Sequence, residues 1–167
     1  LLLQLTVLMR KREWQEDGSG VALDASPAMI EGYLGALPFG LTDAQSKVLR
    51  EILTDLGQAR PMSRLLQGDV GSGKTVVALA GLLLAIFNGY QGALMAPTEI
   101  LAEQHFFTVK SLLAGEPVEG QPEQIATLQV PSFPEPITVG LLLGSQTAKR
   151  KREMHRRVAE GEVDLLI

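Results

Sequence analysis

Lys74 and Thr75 close the run Gly68-Asp69-Val70-Gly71-Ser72-Gly73-Lys74-Thr75, which has the spacing Gly-x-x-x-x-Gly-Lys-Thr. That pattern suits one chemistry, the grip on a polyphosphate. Glycines let the backbone take φ values that a side chain would forbid. The amides of such a loop point inward and form an anion-binding concavity. The helix that follows adds the positive end of its dipole. Lys74 is then placed to reach the β- and γ-phosphates, and the Thr75 hydroxyl to sit on Mg²⁺. The candidate cofactor-binding residues are therefore Gly68, Asp69, Val70, Gly71, Ser72, Gly73, Lys74 and Thr75, with Lys74 and Thr75 also the candidate catalytic pair and Thr75 the candidate metal ligand.

A phosphate loop needs a strand before it and a helix after it. Arg64-Leu65-Leu66-Gln67 reads as a short buried strand, and Val76 to Ile86 as a buried helix. An ordinary Gly/Ser turn between two core elements has no use for Lys-Thr at this position.

The remaining elements alternate in the same way. Leu1 to Gln15 reads as a helix that is apolar around most of its circumference. Ser26-Pro27 opens a short helix to about Leu34, with Pro at its first position. Thr42 is the expected N-cap of a helix to about Leu56, with Val48, Leu49, Ile52, Leu53 and Leu56 at helical spacing. Ala93 to Ala96, Ile137 to Leu143 and Val163 to Ile167 read as strands. Glu99 to Leu113 and Thr147 to Glu160 read as helices. The stretch 114–136 is rich in Pro, Gln, Glu and Gly and reads as a surface loop. Apolar strands alternating with helices predict an α/β fold with a parallel sheet covered on both faces.

Composition narrows the function classes. A chain of 167 residues, 46% of them hydrophobic, can bury a core of its own, and its net charge of −4 excludes wholesale polyanion binding. Any nucleic-acid contact must come from local patches. With no cysteine, disulfides, thiolate zinc sites and cysteine nucleophiles are excluded. The apolar opening Leu1 to Met9 is too short to span a bilayer. The chain starts without Met and stops inside the apolar run Val163 to Ile167, which reads as a segment of a longer protein.

Three further stretches give a resemblance. Phe39-x-Leu-Thr-x-x-Gln45 precedes Arg64 to Thr75, Ala96-Pro-Thr-Glu-Ile-Leu-Ala-Glu-Gln-His105 follows one strand later, and Gly144-Ser145 ends the next strand. Together they resemble the superfamily 2 DNA helicases, most closely the RecG-type branched-DNA helicases. The resemblance implies a RecA-like P-loop domain, incomplete here, over 37–167, after a helical linker at 1–36 from an upstream DNA-binding wedge domain. It implies ATP and Mg²⁺ as cofactors, branched DNA as partner, a monomer acting in the bacterial cytoplasm without a membrane, and remodelling of stalled forks and recombination intermediates. It also assigns Gln45 to the adenine edge, where an amide offers the donor and acceptor needed. Phe39 either packs on the base or anchors its loop. Pro97, Thr98, Glu99, Gly144 and Ser145 become candidate DNA contacts, made to phosphates from beyond the strand ends.

Other readings compete. Lys149, Arg150, Lys151, Arg152, Arg156 and Arg157 form a basic cluster that suits DNA, although a charge run on a helix is usually a solvated face. His105 reads as structural. The transcription-repair coupling translocases share the phosphate-loop sequence. A P-loop small-molecule kinase or a nucleotide-binding module would leave Gln45 and Ala96 to Glu99 unexplained. No Asp-Glu pair follows the phosphate loop, so the chain alone is expected to be inactive as a hydrolase, with the parent a DNA-dependent ATPase.

Overall fold

The computed structural model describes residues 20–114, 124–130 and 133–167. The helix read over Leu1 to Gln15 and part of the 114–136 stretch lie outside the described residues. The described elements are helix α1 (Pro27–Ala36), α2 (Asp43–Leu56), α3 (Lys74–Phe87), strand β1 (Gly92–Ala93), α4 (Glu99–Ala114), β2 (Ile125–Leu128), β3 (Ile137–Gly140), α5 (Ala148–Ala159) and β4 (Leu165–Leu166).

The helices begin where local chemistry says they should. Pro27 stands in the first turn of α1, where its missing N–H costs nothing. Thr42 caps α2 through a reciprocal pair of bonds: its hydroxyl accepts from Gln45 N at 3.2 Å, and its own N–H donates to Gln45 Oε1 at 2.8 Å. Thr147 caps α5 by accepting from Arg150 N at 3.4 Å. In contrast, α3 opens behind Gly73 at φ 77°, in the left-handed region, with no side-chain cap.

The sheet runs in the order β1-β4-β3-β2. β4 pairs in parallel with β1 (Gly92↔Leu165) and with β3 (Val139↔Leu165). β2 pairs antiparallel to β3, with Ile125 opposite Gly140 and Leu128 opposite Ile137. The fold is therefore α/β as expected, but the sheet is mixed rather than wholly parallel. β2 lies inside the stretch read as a surface loop. Its Ala126, the following Val130 and Phe133 are buried, and Phe133 meets Phe87 edge to face at 5.5 Å. Such burial gives a Pro- and Gln-rich segment its strand, because packing outweighs weak local propensity.

Of the four expected strands one fails and three shorten, among them Ile137 to Leu143, to Ile137–Gly140, and Val163 to Ile167, to Leu165–Leu166. Arg64 to Gln67 is not a strand, and Leu65 is 87% exposed. Strand geometry needs a partner ladder, and β1, at the sheet edge, pairs only with β4 among the described residues. Arg64 instead turns to α2, with Nε 2.5 Å from Asp55 and Nη1 3.0 Å from Glu51. The strand read over Ala93 to Ala96 shortens to Gly92–Ala93, leaving Met95 93% exposed.

The core lies between the sheet and helices α1, α3 and α4. Leu83, Leu84, Phe106, Val109, Val139 and Leu165 are fully buried there. Helix α1 belongs to the same core through Met29 and Tyr33. The Tyr33 hydroxyl donates to Val76 O at 2.8 Å in the first turn of α3, and its burial pushes the phenol far above its ordinary pKa. Helix α5 buries only Met154. Met154 packs on β3 at Gly140, where a Cβ would stand 2.9 Å from the thioether sulfur. No helix among the described residues is long and apolar enough to cross a membrane.

Candidate functional site

The phosphate loop folds as its glycines require. Gly71 at φ 80° and Gly73 at φ 77° take the left-handed conformation, and only glycine does so without strain. Lys74 reaches back into the loop. Its Nζ donates to Gly68 O at 2.9 Å and to Asp69 O at 2.6 Å, with Ser72 Oγ at 3.5 Å. The ammonium thus stands at the mouth of a ring of backbone groups. Phosphate oxygens would satisfy it better than neutral carbonyls, because they add charge–charge attraction to the same hydrogen bonds. The uncapped first turn of α3 adds backbone donors at the same place. Asp69, Val70 and Ser72 are exposed along the loop.

Behind the loop lies an open pocket of about 300 Å³ lined by Phe39, Gly71, Gly73, Lys74, Thr75, Val76, Thr108 and Leu112. The structure thereby brings Phe39, from the α1–α2 connection, to Lys74 and Thr75. Thr108 and Leu112 of α4 form the far wall. No sequence pattern points to these two, since their approach depends on how α4 crosses the sheet. A larger open pocket, of about 410 Å³, lies at the opposite end of the sheet around Phe133 and Asp164. None of the candidate residues lines it.

Gln45 is engaged inside the protein. Besides its bond to Thr42 N, its Nε2 donates to Ser72 O at 2.9 Å. A Gln amide has two N–H donors and two carbonyl lone pairs, so one of each remains for a base edge while the loop stays held. Gln45→Ala is expected to weaken ATP by roughly tenfold and GTP by a smaller factor. The effect common to both is removal of the Ser72 bond, at about 1 kcal/mol; the excess for ATP is the adenine contact. Competition titration with the two nucleotides measures both, and an equal weakening would confine Gln45 to holding the loop.

The second group of candidates gathers at the carboxyl ends of the strands. Thr98 Oγ1 accepts from Leu101 N at 3.3 Å at the start of α4. Glu99, the first residue of α4, accepts from Ser145 N at 2.6 Å. The Ser145 hydroxyl, the same amide and the nearby Lys151 charge hold the Glu99 carboxyl below its ordinary pKa. Pro97, Thr98, Glu99, Gly144 and Ser145 are all exposed, so the two loops form one accessible surface.

On α5 the basic cluster divides in two. Arg156 pairs with Glu153 at 2.8 Å and with Glu160, and Arg157 with Glu153 at 3.0 Å. These partners, Arg156 first, bring the Glu153 carboxyl down to about 2. Lys149, Arg150 and Arg152 are exposed and stand on the helix that buries Met154 alone. His105 is half-buried on α4, and the described residues hold no group of His, Cys, Asp or Glu fit for a metal ion.

A glycine loop opening into an uncapped buried helix, with a lysine inside the loop and a mostly parallel sheet beside it, defines a P-loop nucleotide-binding domain. Within that class the chain belongs to the DEAD/DEAH box helicase family, which its residues 42–159 match. It is similar to the ATP-dependent DNA helicase RecG of Streptococcus pneumoniae, at 44% identity over 164 residues, covering 98% of this chain and 21% of that protein. The Bacillus subtilis protein of the same name is 42% identical over 167 residues, covering 100% of this chain and 22% of the relative. Among solved structures, RecG bound to a three-way DNA junction superposes with a TM-score of 0.72 at 34% identity, over 95% of this chain and 19% of that one. The chain thus spans about a fifth of the length of these relatives.

Proposed function

We propose that this chain is the nucleotide-gripping part of the first motor domain of a RecG-type ATP-dependent DNA helicase, one that remodels branched DNA such as stalled forks and recombination intermediates. The observation that carries the reading is Lys74 seated inside a glycine loop whose following helix has no side-chain cap. Residues 1–36 would then be the linker from a DNA-binding wedge domain, and 37–167 part of the motor. The protein would act as a monomer in the bacterial cytoplasm.

The residues fit ATP with Mg²⁺. Bound ATP supplies the phosphoanhydride whose cleavage drives the motor. Lys74 would hold the β/γ-phosphates, the loop amides from Gly71 to Thr75 would surround them, and Thr75 would offer its hydroxyl to the metal. Gln45 would address the adenine edge, and Phe39 would pack beside the base. Thr98 and Ser145 would meet DNA phosphates, contacts that position the motor without reading sequence. The test is phosphate release by the whole protein that carries this chain, with and without a three-way junction. Stimulation by the junction is expected; turnover indifferent to DNA would return the chain to a nucleotide-binding module.

The exposed cations of α5 extend the proposed DNA face. Changing Lys149, Arg150 and Arg152 together to Gln is expected to weaken DNA binding while leaving ATP affinity unchanged. For every phosphate that goes unneutralised, the log–log salt dependence should flatten by about one unit. An unchanged slope in an anisotropy titration would make the cluster a solvated face.

A further inference from the structure

The peptide unit between Gly144 and Ser145 is held at both ends. Its N–H donates to Glu99 Oε1 at 2.6 Å, and its carbonyl accepts from Lys151 Nζ. The two holders come from different elements, Glu99 from the start of α4 and Lys151 from the first turn of α5. Glycine at 144 permits the approach, since a Cβ there would stand 2.9 Å from the Glu99 oxygen. The Ser145 hydroxyl faces the same carboxylate. The Glu99 carboxylate therefore accepts a backbone N–H beside a hydroxyl, with an ammonium on the adjoining carbonyl, and these are the donor types that hold a nucleic-acid phosphate.

Glu99 cannot attract a phosphate itself, so a direct DNA contact does not suit it. We propose that Glu99 is a built-in competitor of DNA: its carboxylate occupies the Ser145 N–H and hydroxyl, and a backbone phosphate takes those donors by displacing it. This rests on the DNA-binding reading above. Displacement is sterically simple, because Glu99 is exposed and rotates about its own side-chain bonds without moving α4. Lys151 stays on the Gly144 carbonyl, and its charge favours either anion from there. The device weakens the grip on each phosphate and restores the resting turn when the strand leaves, which suits a protein that must release DNA at every step.

The test compares Glu99→Gln, Lys151→Gln and the double variant in the whole protein, titrated with a labelled duplex at several salt concentrations. Glu99→Gln keeps the shape and removes the charge. Duplex affinity is expected to rise roughly tenfold, the low end for one hydrogen bond to a charged group, and the salt dependence to steepen by about one unit. Lys151→Gln is expected to weaken binding in both backgrounds. Unchanged or weaker binding by Glu99→Gln, with the salt slope unmoved, would overturn the proposal and make Glu99 a structural bracket. If the unaltered protein binds no duplex while still binding ATP, the DNA reading itself falls, and the proposal with it.

Discussion

Lys74→Ala is expected to lower ATP affinity by about two orders of magnitude or more. The ammonium sits on Gly68 O and Asp69 O, at 2.9 and 2.6 Å, within reach of any phosphate held by the loop. A hydrogen bond to a charged group contributes about 1.5–3 kcal/mol, and two such bonds to the β- and γ-oxygens reach the stated effect. The same substitution frees two loop carbonyls, but both are exposed and water satisfies them, so the fold should be untouched. Calorimetric titration with a nonhydrolysable ATP analogue, beside a thermal melt, separates the two effects. An unchanged affinity at an unchanged melting temperature would remove the phosphate-loop assignment. Lys74→Arg is an informative companion, since it keeps the charge and alters the reach.

The second large effect concerns chemistry rather than binding. The 167-residue chain is expected to bind ATP and yet hydrolyse none measurably, with or without DNA. Hydrolysis needs an acid that orients water near the γ-phosphate and a cation that meets the developing charge. Asp164, the only aspartate after the phosphate loop, accepts from Thr138 N at 2.7 Å and precedes β4, at the far end of the sheet. Glu99 is engaged with Ser145. An arginine finger alone is typically worth about 10³–10⁵ in rate. Phosphate release should therefore match that of a Lys74→Ala control. Turnover above the control, stimulated by DNA, would mean that an acid already in this chain, Asp69 or Glu99, orients the water.

The helices are legible in the sequence because each declares itself within a few residues. Thr42 with Gln45, Ser26 with Pro27, and Thr147 ahead of a basic run fix three helix starts to within a residue. The phosphate loop is legible for the same reason: its glycines and Lys74 act on their own neighbours. The strands are less so. Arg64 to Gln67 has a strand's composition and no ladder, whereas Ile125 to Leu128 lies in a stretch with a loop's composition and gains a ladder from β3. Strand character is conferred by partners, and a single segment does not show them. The site divides likewise. Gln45 is singled out by the family resemblance, but its bond to Ser72 spans 27 positions and has no local signature. The pairing of Glu99 with Ser145 spans 46, and Lys151 reads only as one charge in a run. Side chains that act through distant backbone are invisible until the fold places them.

Tyr33 has a mechanical consequence. Its hydroxyl fastens α1 to the carbonyl of Val76, three residues beyond Gly73, inside a core too tight to let water replace the bond. A displacement of α1 would have to carry the first turn of α3 along or rupture that fastening. The helix behind the phosphate loop is thus tethered to a rigid strut arriving from the amino-terminal side. A load applied there reaches the phosphate loop through this fastening and the core packing around it rather than through the bending of a sheet.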